Sequence, residues 1–174
     1  DKGYKVITLT ASCGLMLKFE WPLLLPNDEG IKKLSKNTFD IDEYIVDIAN
    51  NEGLVEGLHE IDGGVTVHHA CHARAQNMGN KARDMLKLIP NVKIDVVERC
   101  AGHGGTFGVM KETHDMAIKV GKTTASTVKR KNNKYMASDC PLAGKHIKQL
   151  AEDTNIVSDE ALHPIELLAK SYRL

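Results

Sequence analysis

The sequence lacks an excess of charge of either sign, since 23 Lys and Arg side chains balance 23 Asp and Glu side chains over 174 residues. This balance gives no indication of a nucleic-acid partner or an acidic substrate. The longest apolar-leaning stretch, CGLMLKFEWPLLLP, is interrupted by Lys18, Glu20 and Pro22, so we expect no transmembrane segment. We also expect no signal peptide, and hence a cytoplasmic protein, either free or attached peripherally at the inner membrane.

The sequence also lacks an initial Met and opens directly on a strand-like run, YKVITLT. This abrupt start predicts a fragment of a longer polypeptide. The 174 residues are enough for one domain with a hydrophobic core. The hydrophobic content of 42% is ordinary for a globular protein.

Strand-like and helical segments alternate along the chain. We predict strands at 4–10, 63–70, 92–98 and 134–139. We predict helices at 13–21, from a cap at Thr38 or Asp40 to Gly53, at 71–90, at 108–131, at 141–153 and from Pro164 onward, and a linker-like loop at 26–37. This alternation predicts an α/β fold with a mainly parallel sheet and helices on both faces.

Cysteine is scarce, and each of the four thiols follows a predicted strand: Cys13, Cys71, Cys100 and Cys140. The carboxyl ends of parallel strands form the edge at which α/β sheets bind ligands. Four inert core thiols would instead lie at random depths along the elements. A helix N-terminus favours thiolate, and soft thiolate ligands select iron–sulfur clusters, zinc or Cu(I). The positions therefore predict a metal site at the sheet edge.

The glycine-rich loop CAGHGGTFG, residues 100–108, contains one of these thiols. Gly102, Gly104 and Gly105 would bring backbone N–H groups close to a bound cofactor, and His103 is the best candidate for an additional metal ligand. The phosphate-binding pattern G-x-x-x-x-G-K-S/T is absent from the sequence, and the spacing is one residue too long for G-x-G-x-x-G. A dinucleotide loop and a plain structural turn remain as alternatives.

Four segments, in order, resemble motifs of one family. VHHACHARAQNMG, VVERCAGHGGTFG and ASDCPLAGKHI resemble the three motifs of the cysteine-rich CCG domain, which occurs in subunits of heterodisulfide reductase and of anaerobic glycerol-3-phosphate dehydrogenase. TASCGLMLKFEWP resembles the last motif of a preceding copy, because these proteins carry two such domains in tandem. The resemblance implies a Rossmann-like domain at 63–174, a helical connector at 26–62 and the end of a truncated first copy at 1–25.

The resemblance also implies a function, that of an iron–sulfur electron-transfer subunit of a larger oxidoreductase. The implied cofactor is a 4Fe–4S cluster, and zinc is the alternative. Cys71, Cys100 and Cys140 would be its ligands, with His103 as a fourth, and Cys13 would serve the metal site of the first copy. The implied partners are a flavoprotein dehydrogenase or other redox subunit, together with the missing first copy and a ferredoxin-like region.

The sequence departs from the family pattern at three places where a second thiol is expected. Ala101, Ala143 and Thr10 stand at those positions, so a five-thiolate non-cubane site cannot form in the second copy. Three Cys and one His suit either a 4Fe–4S cluster or a tetrahedral zinc ion. A zinc-stabilised assembly subunit without a redox role is therefore the alternative function. A thiol catalyst using Cys100 with His103 as base is a third.

Overall fold

The computed structural model describes residues 2–151, 156 and 161–174. Its described residues form five strands: β1 (Val6–Thr8), β2 (Thr38–Asp40), β3 (Val65–His68), β4 (Ile94–Val97) and β5 (Tyr135–Ser138). They also form nine α-helices: α1 (Ala11–Leu15), α2 (Trp21–Leu24), α3 (Glu29–Lys36), α4 (Ile41–Asn51), α5 (Cys71–Ala75), α6 (Lys81–Leu86), α7 (His114–Lys131), α8 (Pro141–Leu150) and α9 (Pro164–Ser171). Strands and helices alternate, which confirms the predicted α/β class.

A three-stranded parallel sheet forms the centre of the molecule, in the order β4-β3-β5. Val65 lies opposite Ile94 on one side and opposite Tyr135 on the other. Val65 and Val67 are fully buried, as expected for a central parallel strand that is covered on both faces. The three strands are in register, so their carboxyl ends lie side by side.

Two apolar clusters cover the two faces of this sheet. One cluster joins Val65 and Val67 to side chains of α4, α6 and α9, including Met85 and Leu167. The other joins Met136 to side chains of α7 and α8. Because side chains alternate across a strand, neighbouring residues of β3 and β5 serve different faces. Helices on both faces are therefore confirmed.

The strand predicted at 4–10 does not join this sheet. Its structured part, β1, pairs in parallel with β2 in a separate two-stranded sheet, so the expectation of one sheet edge for all four cysteines is wrong. Helix α1 links the two sheets, because the amide of Ala11 donates to the carbonyl of Asp139 at 3.3 Å. The side-chain amide of Gln76 donates to the carbonyl of Ala11 at 3.1 Å.

The prediction of a linker-like loop at 26–37 is also wrong, because this stretch contains helix α3. Asp28 caps helix α3, because its carboxylate accepts the amide of Ile31 at 2.9 Å, and β2 follows directly after the helix. The predicted cap of the next helix is confirmed at Asp40, which forms a reciprocal capping box with Glu43. The charged stretch therefore contains a helix and leads into the strand that pairs with β1.

Two predicted long helices are interrupted in the structure. The one predicted at 71–90 divides into α5 and α6, because Asn77 and Gly79 adopt φ of 53° and 76°, outside the helical region. The one predicted at 108–131 begins only at His114, after a 3₁₀ turn over Gly105–Gly108.

Other helix ends also differ from the prediction. The helix predicted at 13–21 does not end at Pro22, because a π-helical turn over Met16–Glu20 leads into α2 and places Pro22 in the first turn, where proline is tolerated. Helix α9 begins at Pro164 as predicted. The predicted end of α8 at 153 lies outside the described residues. Across the described part of the chain, no helix is long and apolar enough to cross a bilayer.

Candidate functional site

Three cysteines lie at the carboxyl ends of the three central strands. Cys71 opens α5 after β3, Cys100 follows β4, and Cys140 is the N-cap residue of α8 after β5. Together with His103 they line one cavity of about 140 Å³. Cys13 is exposed and follows β1 in the other sheet. The described residues that line this cavity do not include Cys13.

The electrostatics of the cavity disfavour two free thiolates. The pKa of the Cys71 thiol is raised, first by partial burial and then by the neighbouring Cys100 thiol, while Arg74 acts in the opposite direction. Two thiols in contact resist losing both protons unless a positive charge compensates. The pKa of His103 is lowered by burial and by the nearby His146, which favours the neutral imidazole, the form that binds metals.

The glycine loop is attached to the body of the protein at Gly102. This residue has φ of +79°, and its amide donates to the Cys100 sulfur at 3.4 Å. The hydroxyl of Thr124, on α7, donates to the carbonyl of Cys100 at 2.6 Å. Gly104 and Gly105 also have positive φ, and a Cβ at Gly105 would meet no atom within 4 Å. The loop is therefore hydrogen-bonded to the body of the protein beside Cys100 and has open space around Gly105.

The donor set suits the metals that the sequence predicts. Three thiols and one imidazole are soft or borderline donors, the type that iron–sulfur clusters and zinc prefer. Within the described ranges, no three His, Cys, Asp or Glu side chains lie close enough to share a single ion. The donors surround a cavity without meeting at a point. The chemistry of the set fits an inorganic group, and the ligand assignments remain predictions.

Of the two adjacent histidines His68 and His69, the cavity is lined by His68. Alternation along a strand predicts that the two side chains point to opposite faces, but it does not predict which of them faces the site. It is buried, with Nε2 2.9 Å from the carbonyl of Arg99 and Nδ1 3.0 Å from the hydroxyl of Ser138. Since a carbonyl only accepts, Nε2 donates and Nδ1 accepts the hydroxyl proton. Burial lowers the pKa of His68, which favours the neutral ring. The ring therefore connects the ends of β4 and β5 through its two hydrogen bonds. His69 lies instead beside Glu98.

Asp139 is a residue of the site that the sequence did not indicate. It is buried, and its carboxylate accepts the amide of Ala70 at 2.9 Å. Burial raises its pKa to about 7. The side chain joins the residue before Cys71 to the residue before Cys140, so it fixes the relative positions of two cavity-lining strand ends. A carboxylate next to a cysteine in the sequence carries no signal of this contact.

Comparison with known proteins places this site within a recognised domain. Residues 65–148 match the model of the cysteine-rich domain CCG. A subunit of the fumarate reductase (CoM/CoB) from Methanothermobacter marburgensis is 28% identical, over 98% of this chain and 33% of that protein. Lactate utilization protein A from Geobacillus kaustophilus is 33% identical, over 63% of this chain and 47% of that protein.

The similarity covers only part of the length of each relative. Lactate utilization protein A from Bacillus subtilis is 29% identical over 63% of this chain and 47% of that protein. The alignments therefore span about one third to one half of the length of these three relatives. Among solved structures, glutamate racemase from Francisella tularensis overlaps with a TM-score of 0.42 at 16% identity, covering 95% of this chain and 56% of that chain. That overlap carries no inference about function.

Proposed function

Residues 65–148 belong to the cysteine-rich CCG domain family, and from this we propose that the chain is an iron–sulfur electron-transfer domain of a larger oxidoreductase. The observation that carries the proposal is the cavity at the sheet edge. Three thiols from three different strand ends, together with one imidazole, line a single space of about 140 Å³.

We assign Cys71, Cys100, Cys140 and His103 as the residues that would hold a 4Fe–4S cluster. Three thiols and one imidazole suit either a cluster or a tetrahedral zinc ion. The similarity of residues 65–148 to the CCG domain is what favours the cluster. A bound cluster would accept and release single electrons at this edge of the sheet.

The surrounding residues have supporting roles in this proposal. The amide of Gly102 donates to the Cys100 sulfur, and such bonds stabilise negative charge on sulfur and tune a centre's potential. Arg74 favours the thiolate form of Cys71, so it offsets part of the negative charge of the ligand set. His68 and Asp139 hold the strand ends in place through their hydrogen bonds.

The relatives support a role within a redox complex. Their names refer to a subunit of fumarate reductase (CoM/CoB) and to lactate utilization protein A, and this chain corresponds to only part of each. We propose that it works with a further redox subunit, such as a flavoprotein dehydrogenase, in the cytoplasm. Cys13 would belong to a second centre, whose other ligands would come from a preceding domain copy.

Elemental analysis of protein purified without oxygen tests the proposal. We expect roughly four iron and four sulfide per chain, a brown colour and a broad visible absorption that bleaches on reduction. One zinc per chain without sulfide would identify the zinc-stabilised assembly subunit and overturn the redox function. A metal-free chain whose Cys100 reacts rapidly with an alkylating agent, with loss of turnover, would favour the thiol catalyst instead.

A pair of substitutions tests the ligand assignment. Cys140→Ser should remove most of the bound iron, because it deletes one of three thiolates that line the cavity. Cys13→Ser is the matched control and should leave the iron content nearly unchanged, since Cys13 lies outside that cavity. Iron and sulfide per chain are measured in both variants after identical reconstitution. Equal losses would show that Cys13 belongs to the same centre and that the assignment is wrong.

A further inference from the structure

Two of the thiols that line the cavity, those of Cys71 and Cys100, follow neighbouring strands at the same register. Cys71 is the third residue after His68, Cys100 is the third residue after Val97, and His68 pairs with Val97 where β3 and β4 end. Neighbouring strands lie about 4.8 Å apart, and a disulfide needs two Cα atoms about 4.4–6.8 Å apart. The register of the sheet therefore suits a covalent link between these two residues.

The two side chains are also close to each other. The Cys100 thiol acts on the Cys71 thiol both through its charge and as a hydrogen-bonding partner, and both thiols line the same space of about 140 Å³. Both residues are exposed and carry free thiols. A small oxidant in solution can therefore reach them, and neither sulfur has far to move to meet the other.

The other two cysteines are placed differently. Cys140 is half-buried and packs against the apolar cluster around Met136. It follows β5, which lies on the opposite side of β3 from β4. Cys13 follows β1, a strand of the other sheet. Of the four thiols, those of Cys71 and Cys100 are therefore the pair that the fold brings together for oxidation.

We propose that Cys71 and Cys100 form a reversible intramolecular disulfide in the chain that holds no inorganic group. With hydrogen peroxide as the oxidant, the sulfur of one residue attacks a peroxide oxygen, the O–O bond breaks, and a sulfenic acid and one water form. The sulfur of the other residue then attacks the first sulfur, so the S–S bond forms, the S–O bond breaks and a second water leaves. The two thiols lose two electrons and two protons, and one peroxide is reduced to two waters.

The disulfide protects both sulfur atoms from further oxidation. A sulfenic acid beside a thiol condenses with it instead of proceeding to sulfinic acid, which thiol reductants do not reverse. That this protection preserves a set of cluster ligands rests on the proposed function. The disulfide itself does not, because it depends only on the positions of the two sulfur atoms.

Peptide mapping of the complete chain tests the inference. Iron is removed with a chelator, the folded chain is treated with a small excess of hydrogen peroxide, and the remaining thiols are alkylated. We expect the loss of two of the four thiols, a peptide that links Cys71 to Cys100 within one chain, and recovery of both thiols with dithiothreitol. A predominant link to Cys140 or Cys13, links between chains, or no link would overturn the inference.

The same oxidation in concentrated urea is a control for the role of the fold. The links should then be distributed among all four cysteines, because the unfolded chain no longer brings one pair together. If the Cys71–Cys100 link predominates in urea as well, the fold does not select the pair and the inference is wrong.

Two serine variants test which thiol is the partner. Cys100→Ser should abolish the link and allow Cys71 to proceed to sulfinic acid, which peptide mass measurement detects. Cys140→Ser is the matched control from the same cavity and should retain the Cys71–Cys100 link. Loss of the link in both variants, or a Cys71 that stays free of sulfinic acid in Cys100→Ser, would contradict the inference.

Iron and sulfide are measured on the same samples after reduction and reconstitution. Iron-loaded protein whose empty form shows no link would refute only this inference. A linked chain that binds no iron after reduction would refute only the proposed function.

Discussion

Gly102 lies so close to helix α7 that its backbone leaves no room for a side chain. A Cβ at this position would overlap the carbonyl oxygen of Ala117 and lie 2.9 Å from the amide of Gly121. Its φ of +79° is also one that L residues rarely adopt. At the residue scale, the close contact with α7 fixes the backbone of Gly102, whose amide donates to the Cys100 sulfur.

Gly102→Ala should lower the free energy of unfolding by at least about 2 kcal/mol, from left-handed backbone strain together with steric overlap. Gly105→Ala is the matched control, because it has a similar φ but open space around its Cβ, and it should cost only about 1 kcal/mol. Urea unfolding of both metal-free variants measures the difference. Equal losses would mean that the contact with α7 does not constrain the loop.

At this scale the sequence identified the thiols but could not decide which strands are neighbours. Cys71, Cys100 and Cys140 each follow a strand, and those three strands pair. Cys13 has the same local pattern but follows a strand of another sheet. Pairing depends on contacts between distant segments, and local spacing does not encode these contacts. The buried role of Asp139 was missed for the same reason.

At the scale of elements, the sequence predicted most strands and helices from their periodicity. It failed at the charged stretch that forms α3, which was predicted as a loop, and where individual residues change the backbone direction. The backbone of Asn77 has φ of 53°, which ends helix α5. The apolar pattern around it does not show this, because an exposed position within a helix would give the same pattern. The strand β2 is three residues long, too short for an alternating pattern, so only its pairing with β1 reveals it.

The first turn of helix α4 contains a buried carboxyl group without a hydrogen-bond partner among the described atoms. Both carboxylate oxygens of Asp42 are buried and accept no hydrogen bond there. The pKa of Asp42 is raised well above its usual value, first by burial and then by the charges of Asp40 and Asp139. The folded state therefore keeps this proton at pH values where the unfolded chain has released it. As pH rises above the usual value of 3.8, the stability that the proton provides is progressively lost.

We therefore expect Asp42→Asn to stabilise the metal-free chain at pH 8, by about 1 kcal/mol or more, since one pKa unit corresponds to about 1.4 kcal/mol. The gain should shrink at pH 5, where wild-type Asp42 retains more of its proton. Asp47→Asn, an exposed position on the same helix, should show no such pH-dependent gain. Urea unfolding at the two pH values measures this. A gain that does not change with pH would refute the assignment of the buried charge to Asp42.

At the scale of the whole molecule, the two sheets differ in how much core supports them. The central sheet lies between two apolar clusters, and its middle strand is buried throughout. The two-stranded sheet has neither feature, since β1 and β2 are three residues each and only partly apolar. Strand stability depends on such burial, so the molecule should open first at the smaller sheet.

Hydrogen exchange followed by mass spectrometry should show this difference. Amides of β3 and β5 should exchange slowest, at rates close to that of global unfolding, and amides of β1 should exchange at least about tenfold faster. The comparison is made on metal-free protein, so that a bound group cannot alter the result. Equal protection of β1 and β3 would show that the two sheets open as one cooperative unit.

The exposure of two of the cavity thiols has a consequence for assembly. Cys71 and Cys100 are exposed and Cys140 is half-buried at one margin, while the fully buried side chains lie along the sheet faces. Neither Cys71 nor Cys100 belongs to the two apolar clusters. If the chain holds the proposed cluster, we therefore expect the polypeptide to fold first and to be loaded later, so that empty chain made in air should still accept iron and sulfide when they are supplied.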